Sequence, residues 1–124
     1  MIWSYPKALC TQVLDGDTLR LEIDLGFHTK VFKVDIRLLG VDTPELRGPR
    51  KDMARKAKET VTALCLGKTV AVDVVQKDKY GGRWLGHIRV LCGSPPVVKD
   101  LAAYLIDEGL GVVYSGGKRG VISG

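Results

Sequence analysis

The sequence predicts a mainly β protein with helices (α+β): a five-stranded barrel with a helix between its third and fourth strands and a short C-terminal helix. Short runs of alternating apolar and polar residues, typical of half-buried strands, recur along the chain. Between them, one segment changes to helical period, and a second helical pattern follows the last strand. A length of 124 residues allows one compact core, so we expect a single domain over residues 1–124.

The first two predicted strands flank an Asp-Gly pair in VLDGDTLRL, residues 13–21. TQVL, residues 11–14, leads into this pair, which is a strong hairpin signal because Asp and Gly both tolerate positive φ. The next run, LRLEIDL, has an apolar side made of Leu19, Leu21, Ile23 and Leu25. A hairpin turn accounts for Asp15, but it leaves Asp17, at the mouth of the next strand, without a structural purpose.

The third strand and the first helix follow in residues 30–66. KVFKVDIRLLGV, residues 30–41, repeats the alternation, with an inward side of Phe32, Val34, Ile36 and Leu38. Residues 50–66 have helical spacing of Met53, Ala57, Val61 and Leu64, and Gly67 stands where a C-cap glycine belongs. The outer face of this helix is basic, which fits a solvated surface as well as a phosphate-binding face; it includes Arg50, Lys51, Arg55, Lys56 and Lys58.

Two further strands complete the set of five: KTVAVDVVQ, residues 68–76, and RWLGHIRVL, residues 83–91. VKDLAAYLIDEGLG, residues 98–111, predicts a short helix that stops at Gly109, and the glycine-rich residues from about 115 to 124 predict a flexible tail. This order matches an OB-fold, a Greek-key barrel that often binds oligonucleotides. An SH3-like barrel, with less helix between its strands, is the competing architecture.

Charge and composition narrow the class of partner. A net charge of +5 and a pI near 9.2 favour a polyanion, nucleic acid before a membrane surface, although a solvated lysine surface would give the same balance. No apolar run approaches the roughly 18 residues of a membrane span. The first ten residues lack a continuous apolar stretch, so we expect a cytoplasmic protein; a processed secreted chain would look the same.

The three cysteines predict neither disulfides nor a zinc site. Cys10, Cys65 and Cys92 are odd in number and widely spaced, and the chain has only His28 and His87 besides. Inert packing in the core is the favoured interpretation, with a Cys/His nucleophilic pair as the alternative.

Residue types suited to phosphate chemistry gather in IRLLGVDTPELRG, residues 36–48. Arg37 ends a strand on its polar side, and Asp42 and Glu45 follow in a rigid turn around a proline. Because the strand of Arg37 pairs with the strand that Asp17 opens, we expect these groups to meet at one end of the barrel. They offer hard oxygen ligands for Ca²⁺ or Mg²⁺, and Arg83 adds a second guanidinium. A phosphodiester reaction needs these parts: cations that offset phosphate charge and a carboxylate that takes a proton from water.

Three segments, VLDGDTLRL, IRLLGVDTPE and DKYGGRW, resemble the signature segments of the staphylococcal (thermonuclease-type) nuclease family, in the same order. LIDEGLGVVY resembles the family's last helix and turn, so the resemblance covers nearly the whole chain. It implies an OB-fold barrel and a Ca²⁺-dependent endonuclease, a hydrolase that cleaves DNA and RNA and leaves 3′-phosphates. We expect a monomer that prefers single-stranded or locally melted substrate and has no membrane partner.

The resemblance also implies a metal site. Asp17 and Asp42 would be carboxylate ligands of Ca²⁺, and Thr43 would add its backbone carbonyl. Asp15 would support these ligands without touching the ion.

For the reaction, the resemblance implies that Glu45 acts as general base or orients the attacking water. Arg37 and Arg83 would bind the scissile phosphate and stabilise its transition state, a role in which the planar fork of arginine matters. The positions that would hold a neighbouring terminal phosphate are Lys79, Tyr80 and Tyr114. One departure from the family pattern is an extra glycine in the loop Tyr80-Gly81-Gly82-Arg83.

A non-catalytic nucleic-acid- or protein-binding module on the same barrel is the alternative function. Binding-only members of such a family usually lose some of the carboxylates or arginines. This sequence keeps all five of the central ones, which favours the enzyme: Asp17, Arg37, Asp42, Glu45 and Arg83.

Overall fold

The computed structural model describes residues 2–79 and 81–114. Tyr80 and the predicted flexible tail, residues 115–124, lie outside the described residues. Within the described part, the strands are β1 (Trp3–Asp15), β2 (Thr18–Gly26), β3 (Thr29–Leu38), β4 (Gly40–Asp42), β5 (Thr69–Lys77), β6 (Trp84–Cys92), β7 (Val97–Asp100) and β8 (Val112–Tyr114). The helices in the same part are α1 (Lys51–Cys65) and α2 (Leu101–Asp107).

A closed barrel of five strands forms the body of the molecule. The larger sheet has the order β3-β2-β1-β5-β6-β7, and β3 also pairs with β6, in parallel, through residues 36–38 and 84–86. This extra pairing closes β1, β2, β3, β5 and β6 on themselves, with α1 between the third and fourth barrel strands. The predicted fold class, an OB-fold-like α+β barrel, is confirmed.

The barrel core consists of the inward residues of these strands. Leu19, Leu21, Ile36 and Leu38 are fully buried, as the alternation predicts. The expectation for Phe32 is wrong, because its side chain is 64% exposed. Between the pairs Leu21–Val34 and Ile23–Val31, β3 has one residue more than β2, so a β-bulge reverses which residues face inward.

The helix α1 buries one face against β1. The inward positions Ala57 and Val61 are confirmed, but Met53 is exposed and Ala54 takes its place. After the helix, Gly67 adopts a left-handed φ of 74°, which is the conformation that a C-cap glycine provides.

The helix α2 begins at Leu101, three residues later than predicted, because residues 97–100 pair with β6 as β7. The Asp100 side chain accepts a hydrogen bond of 3.0 Å from the Ala103 N–H and so caps the helix. Leu105 is buried, and Gly109, at φ 71°, ends the helix region as predicted.

Further strand assignments differ from the prediction. β1 begins at Trp3 instead of residue 11, and Pro6 lies at an irregularity between Tyr5 and Ala8, where a strand tolerates proline. The short strands β4 and β8 pair in a small second sheet that the prediction lacks. Of the helices in the described part of the chain, neither is long and apolar enough to cross a membrane.

Candidate active site

A tight β1–β2 turn sets the position of Asp17. Asp15 and Thr18 are register partners, so Gly16 and Asp17 form a two-residue turn. A Cβ at Gly16 would lie 2.9 Å from the Cβ of Ala57 on α1, too close for real side chains, and its φ is not left-handed. Position 16 therefore needs a glycine because α1 packs so closely against it. The positive φ that the sequence suggested is not the reason.

Register then places Arg37 beside the turn, since Arg37 is the β3 partner of Thr18. The Arg37 Nη2 lies 3.6 Å from Asp17 Oδ2 and 3.1 Å from Asp42 Oδ1. All three side chains are shielded from solvent: Asp42 is 4% exposed, Asp17 10% and Arg37 12%. The predicted meeting of the DGDT and VDTPE segments at one end of the barrel is present in the structure.

The Arg37 guanidinium has further anchors on its other side. Its Nη1 donates to the backbone carbonyls of Leu38 and Val41, the latter at 2.8 Å. The ring of Tyr114 lies 5.6 Å from its Cζ, brought there by the pairing of β8 with β4. These contacts hold the guanidinium in one orientation.

The Asp17 carboxylate is fixed through both of its oxygens. Oδ1 accepts a hydrogen bond of 3.1 Å from the Thr18 hydroxyl, and Oδ2 accepts one of 3.3 Å from the Thr43 N–H. The hydrogen bond to Thr43 connects the β1–β2 turn to the DTPE turn. Both turns are thereby fixed relative to each other.

The third carboxylate of the cluster, Asp15, has a raised pKa. Burial is the main cause, and the negative charge of Asp17 adds to it. The positive charges of Lys58, Arg83 and Arg37 act in the opposite direction. Positively charged side chains on α1, on β3 and immediately before β6 therefore act on this carboxylate cluster.

The donor set at this cluster fits a hard cation. Asp17 and Asp42 are carboxylates that contact the same guanidinium, and Thr43 contributes a buried backbone position beside them. In residues 2–79 and 81–114, no group of three His, Cys, Asp or Glu side chains could hold a metal ion. Two carboxylates and a carbonyl would leave several coordination positions of the ion to water. Ca²⁺ and Mg²⁺ accept such a mixture of oxygen ligands.

An open cleft of about 810 Å³ lies over the cluster. Glu45, an exposed residue of the DTPE turn, lies at this cleft, and so does Lys79 of the loop after β5. Every predicted site residue that the structure describes lines the cleft: Asp15, Asp17, Arg37, Asp42, Thr43, Glu45, Lys79, Arg83 and Tyr114. The predicted substrate residue Tyr80 lies outside the described residues.

Barrel closure brings Arg83 to the cleft. Arg37 is the parallel partner of Leu85, two residues beyond Arg83, so both arginines reach the same end of the barrel. The Nε of Arg83 donates to Asp78 Oδ2 at 2.6 Å, a partner that the sequence prediction missed. The one sequence signal for this ion pair was the presence of an acidic residue shortly before Gly81 and Gly82. Arg47 and Lys77 also line the cleft without having been predicted.

The structure combines an OB-fold-like barrel with two arginines and several carboxylates in one cleft. The family model described as "Staphylococcal nuclease homologue" matches residues 35–120, well over half of the chain. The chain therefore belongs to the staphylococcal nuclease homologue family, as its three signature segments predict.

Curated relatives include proteins named as endonucleases. The chain is 37% identical over 94 residues to an "Uncharacterized endonuclease" of Escherichia coli O157:H7, covering 70% of this chain and 54% of that protein. A "Probable endonuclease lcl3" of Neosartorya fischeri is 33% identical over 86 residues, 65% of this chain and 29% of that protein. "Protein ParB" of Escherichia coli is 26% identical over 115 residues, 90% and 59% respectively. The chain thus spans only part of the length of these relatives.

Proposed function

We propose that this domain is a Ca²⁺-dependent endonuclease that hydrolyses phosphodiester bonds of DNA and RNA and leaves 3′-phosphates. The observation that carries the proposal is the shielded contact of Arg37 with Asp17 and Asp42, in a cleft that Glu45 and Arg83 also line. Family membership and the endonuclease names of two relatives support it.

The two arginines bind the scissile phosphate. Guanidinium groups offer paired N–H donors that match two phosphate oxygens, and they stay charged at any physiological pH. Arg37 is held by carbonyls and carboxylates, so it does not need to reorganise as negative charge builds up on those oxygens. Arg83 reaches the same cleft from the start of β6.

Asp17, Asp42 and the backbone carbonyl of Thr43 would hold the metal ion, with Asp15 in support. These residues would thereby place a Ca²⁺ ion whose positive charge would offset that of the phosphate oxygens. Since Asp17 is fixed through both oxygens, this carboxylate is oriented in advance for a cation.

Glu45 acts on the attacking water as general base or by orienting it. The water oxygen attacks phosphorus as the bond from phosphorus to the 5′ oxygen breaks. The attacking water loses one proton, to Glu45 where that residue is the base, and the 5′ oxygen takes up one proton, so that the step balances. The upstream strand keeps a 3′-phosphate, and the downstream strand begins with a 5′-hydroxyl. An exposed carboxylate at the cleft mouth suits this role because water reaches it readily.

Lys79 and Tyr114 hold a phosphate next to the scissile one, and Tyr80 completes the group by family resemblance. We propose that the open cleft takes a single strand or a locally melted duplex. We propose that one chain suffices for this activity, because a single barrel carries all of these groups.

Digestion of single-stranded DNA and of RNA tests the proposal. The purified protein is incubated with Ca²⁺, with Mg²⁺ or with a chelator, and the product ends are identified by their sensitivity to phosphatase and kinase. We expect cleavage of both polymers with Ca²⁺, none with chelator, and products with 3′-phosphate ends. Nucleic acid that is bound but stays intact under every condition would contradict the proposal and favour a binding module.

A further inference from the structure

The loop between β5 and β6 holds an ion pair inside the candidate active cleft. We propose that Asp78 is a positioning residue: it holds the guanidinium of Arg83 so that the two terminal nitrogens, Nη1 and Nη2, are available to the scissile phosphate. This inference rests on the proposed nuclease function and adds a residue to its machinery.

Two hydrogen bonds close the loop at its base. The Asp78 Oδ2 accepts from Arg83 Nε at 2.6 Å, and the Asp78 N–H donates to the Arg83 carbonyl at 3.0 Å. The Asp78 side chain is only 11% exposed, so solvent competes little for this carboxylate. A short, shielded, charge-assisted bond of this kind restricts the arginine side chain.

The choice of Nε matters for the chemistry. Within the described residues, this is the one hydrogen bond that the Arg83 guanidinium makes, so Nη1 and Nη2 keep their donors. The positive charge of Arg83 also acts on Asp15 together with that of Arg37, which places Arg83 near the carboxylate cluster. Arg37, in contrast, has carbonyl, carboxylate and aromatic contacts and needs no such partner.

The two glycines before Arg83 do little to fix its position. Gly81 and Gly82 both adopt left-handed φ values, 73° and 67°. Glycines leave the backbone with the greatest freedom of any residue. A side-chain anchor to Asp78 compensates for that freedom, and a misplacement of about 1 Å at a reacting group can cost roughly 100-fold in rate.

The test compares turnover in Asp78→Ala, Asp78→Asn and Arg83→Ala with that of the wild type, each at a temperature where the variant is folded. The matched control is Asp73→Ala, because Asp73 forms the same kind of ion pair with Arg89 outside the cleft. We expect Asp78→Ala to lower kcat by about 100-fold. Asp78→Asn should recover part of the loss, since its amide oxygen still accepts from Nε, and Asp73→Ala should retain the wild-type kcat.

Combining Asp78→Ala with Arg83→Ala decides whether the effect passes through Arg83. A positioning residue adds no further loss to a protein that already lacks the arginine. A full additional loss in the double variant, or wild-type kcat in Asp78→Ala, would overturn the inference.

If the wild type cleaves nothing, the proposed function is refuted, and the anchoring of Arg83 is tested by a measurement that does not depend on cleavage. In that case, ¹⁵N NMR measures the rate at which the Nε–H hydrogen of Arg83 exchanges with solvent. We expect slow exchange in the wild type and fast exchange in Asp78→Ala. Equal exchange in both would refute the anchoring itself.

Discussion

At the scale of single residues, Arg37 connects three parts of the chain. It contacts Asp17 at the β1–β2 turn, Asp42 at the end of β4, and the ring of Tyr114 on β8. A lysine has neither the planar fork nor the number of donors for these contacts, so an Arg-to-Lys exchange is not conservative here.

Gly16→Ala is expected to destabilise the fold by about 1–3 kcal/mol, the range for overpacking a tight contact. The added Cβ would meet the Cβ of Ala57 at 2.9 Å and the hydroxyl of Thr43 at 3.1 Å, so the turn that carries Asp17 must move. Urea unfolding measures the change. Gly48→Ala serves as control, because a Cβ there has no neighbour closer than 3.4 Å and the φ of Gly48 is not left-handed. Equal stability of both variants would contradict the packing argument.

The clustering of the candidate residues in one cleft was largely predictable, because motif and register agree. Asp17 opens one strand and Arg37 closes its neighbour, so antiparallel pairing alone brings them together. Asp78 was missed because its partner is set by how the Gly81-Gly82 loop folds, which alternation and spacing do not encode.

At the scale of elements, long periodic segments were predicted well and short ones were not. The run of β2 has nine residues, enough for alternation to identify it, whereas β4 and β8 have three each and no period to recognise. The bulge in β3 reversed the inward side near Phe32, since its extra residue has no marker in the sequence.

The helix α1 carries an exposed basic face near the cleft, and its charges predict salt-dependent binding. Replacing Lys51, Arg55 and Lys58 by alanine should reduce the slope of log K against log salt for single-stranded DNA by up to about 0.7 for each lost phosphate contact. The position of Lys58 supports the statement that this face lies near the cleft, because the charge of Lys58 acts on Asp15.

The control for α1 is a variant in which three exposed lysines that do not line the cleft are replaced by alanine: Lys30, Lys33 and Lys99. This variant should keep the wild-type slope. If both triple variants share one slope, the α1 face is merely a solvated surface.

At the scale of the whole molecule, the closed barrel both assembles the cleft and buries thiols. The β3–β6 pairing brings the two arginines to one end, while Cys10 and Cys65 are fully buried in the core. Burial raises the pKa of Cys10 to about 11 and that of Cys65 to about 12, from an ordinary value of 9.0. These two thiols stay protonated at neutral pH, in agreement with their predicted role as inert packing.

The raised thiol pKa values predict a loss of stability in alkali. Above pH 9 the unfolded chain releases thiol protons that the native chain retains, so the native state binds more protons and the free energy of unfolding falls as pH rises. The slope approaches about 1.4 kcal/mol per pH unit for each thiol until its native pKa is reached. Urea unfolding between pH 8.5 and 10.5 measures it. A Cys10→Ala, Cys65→Ala variant should show a smaller fall, and identical falls in the two proteins would refute the assignment.

The central claim is that the cleft at the end of the barrel hydrolyses phosphodiesters with Glu45 acting on the water. The most direct measurement is kcat on single-stranded DNA with Ca²⁺ for the wild type, Glu45→Gln and the control Glu59→Gln, whose side chain is exposed on α1 outside the cleft. We predict a loss of about 10²–10⁴-fold in Glu45→Gln with substrate affinity nearly intact, and no loss in the control. Equal rates for Glu45→Gln and wild type would contradict the claim.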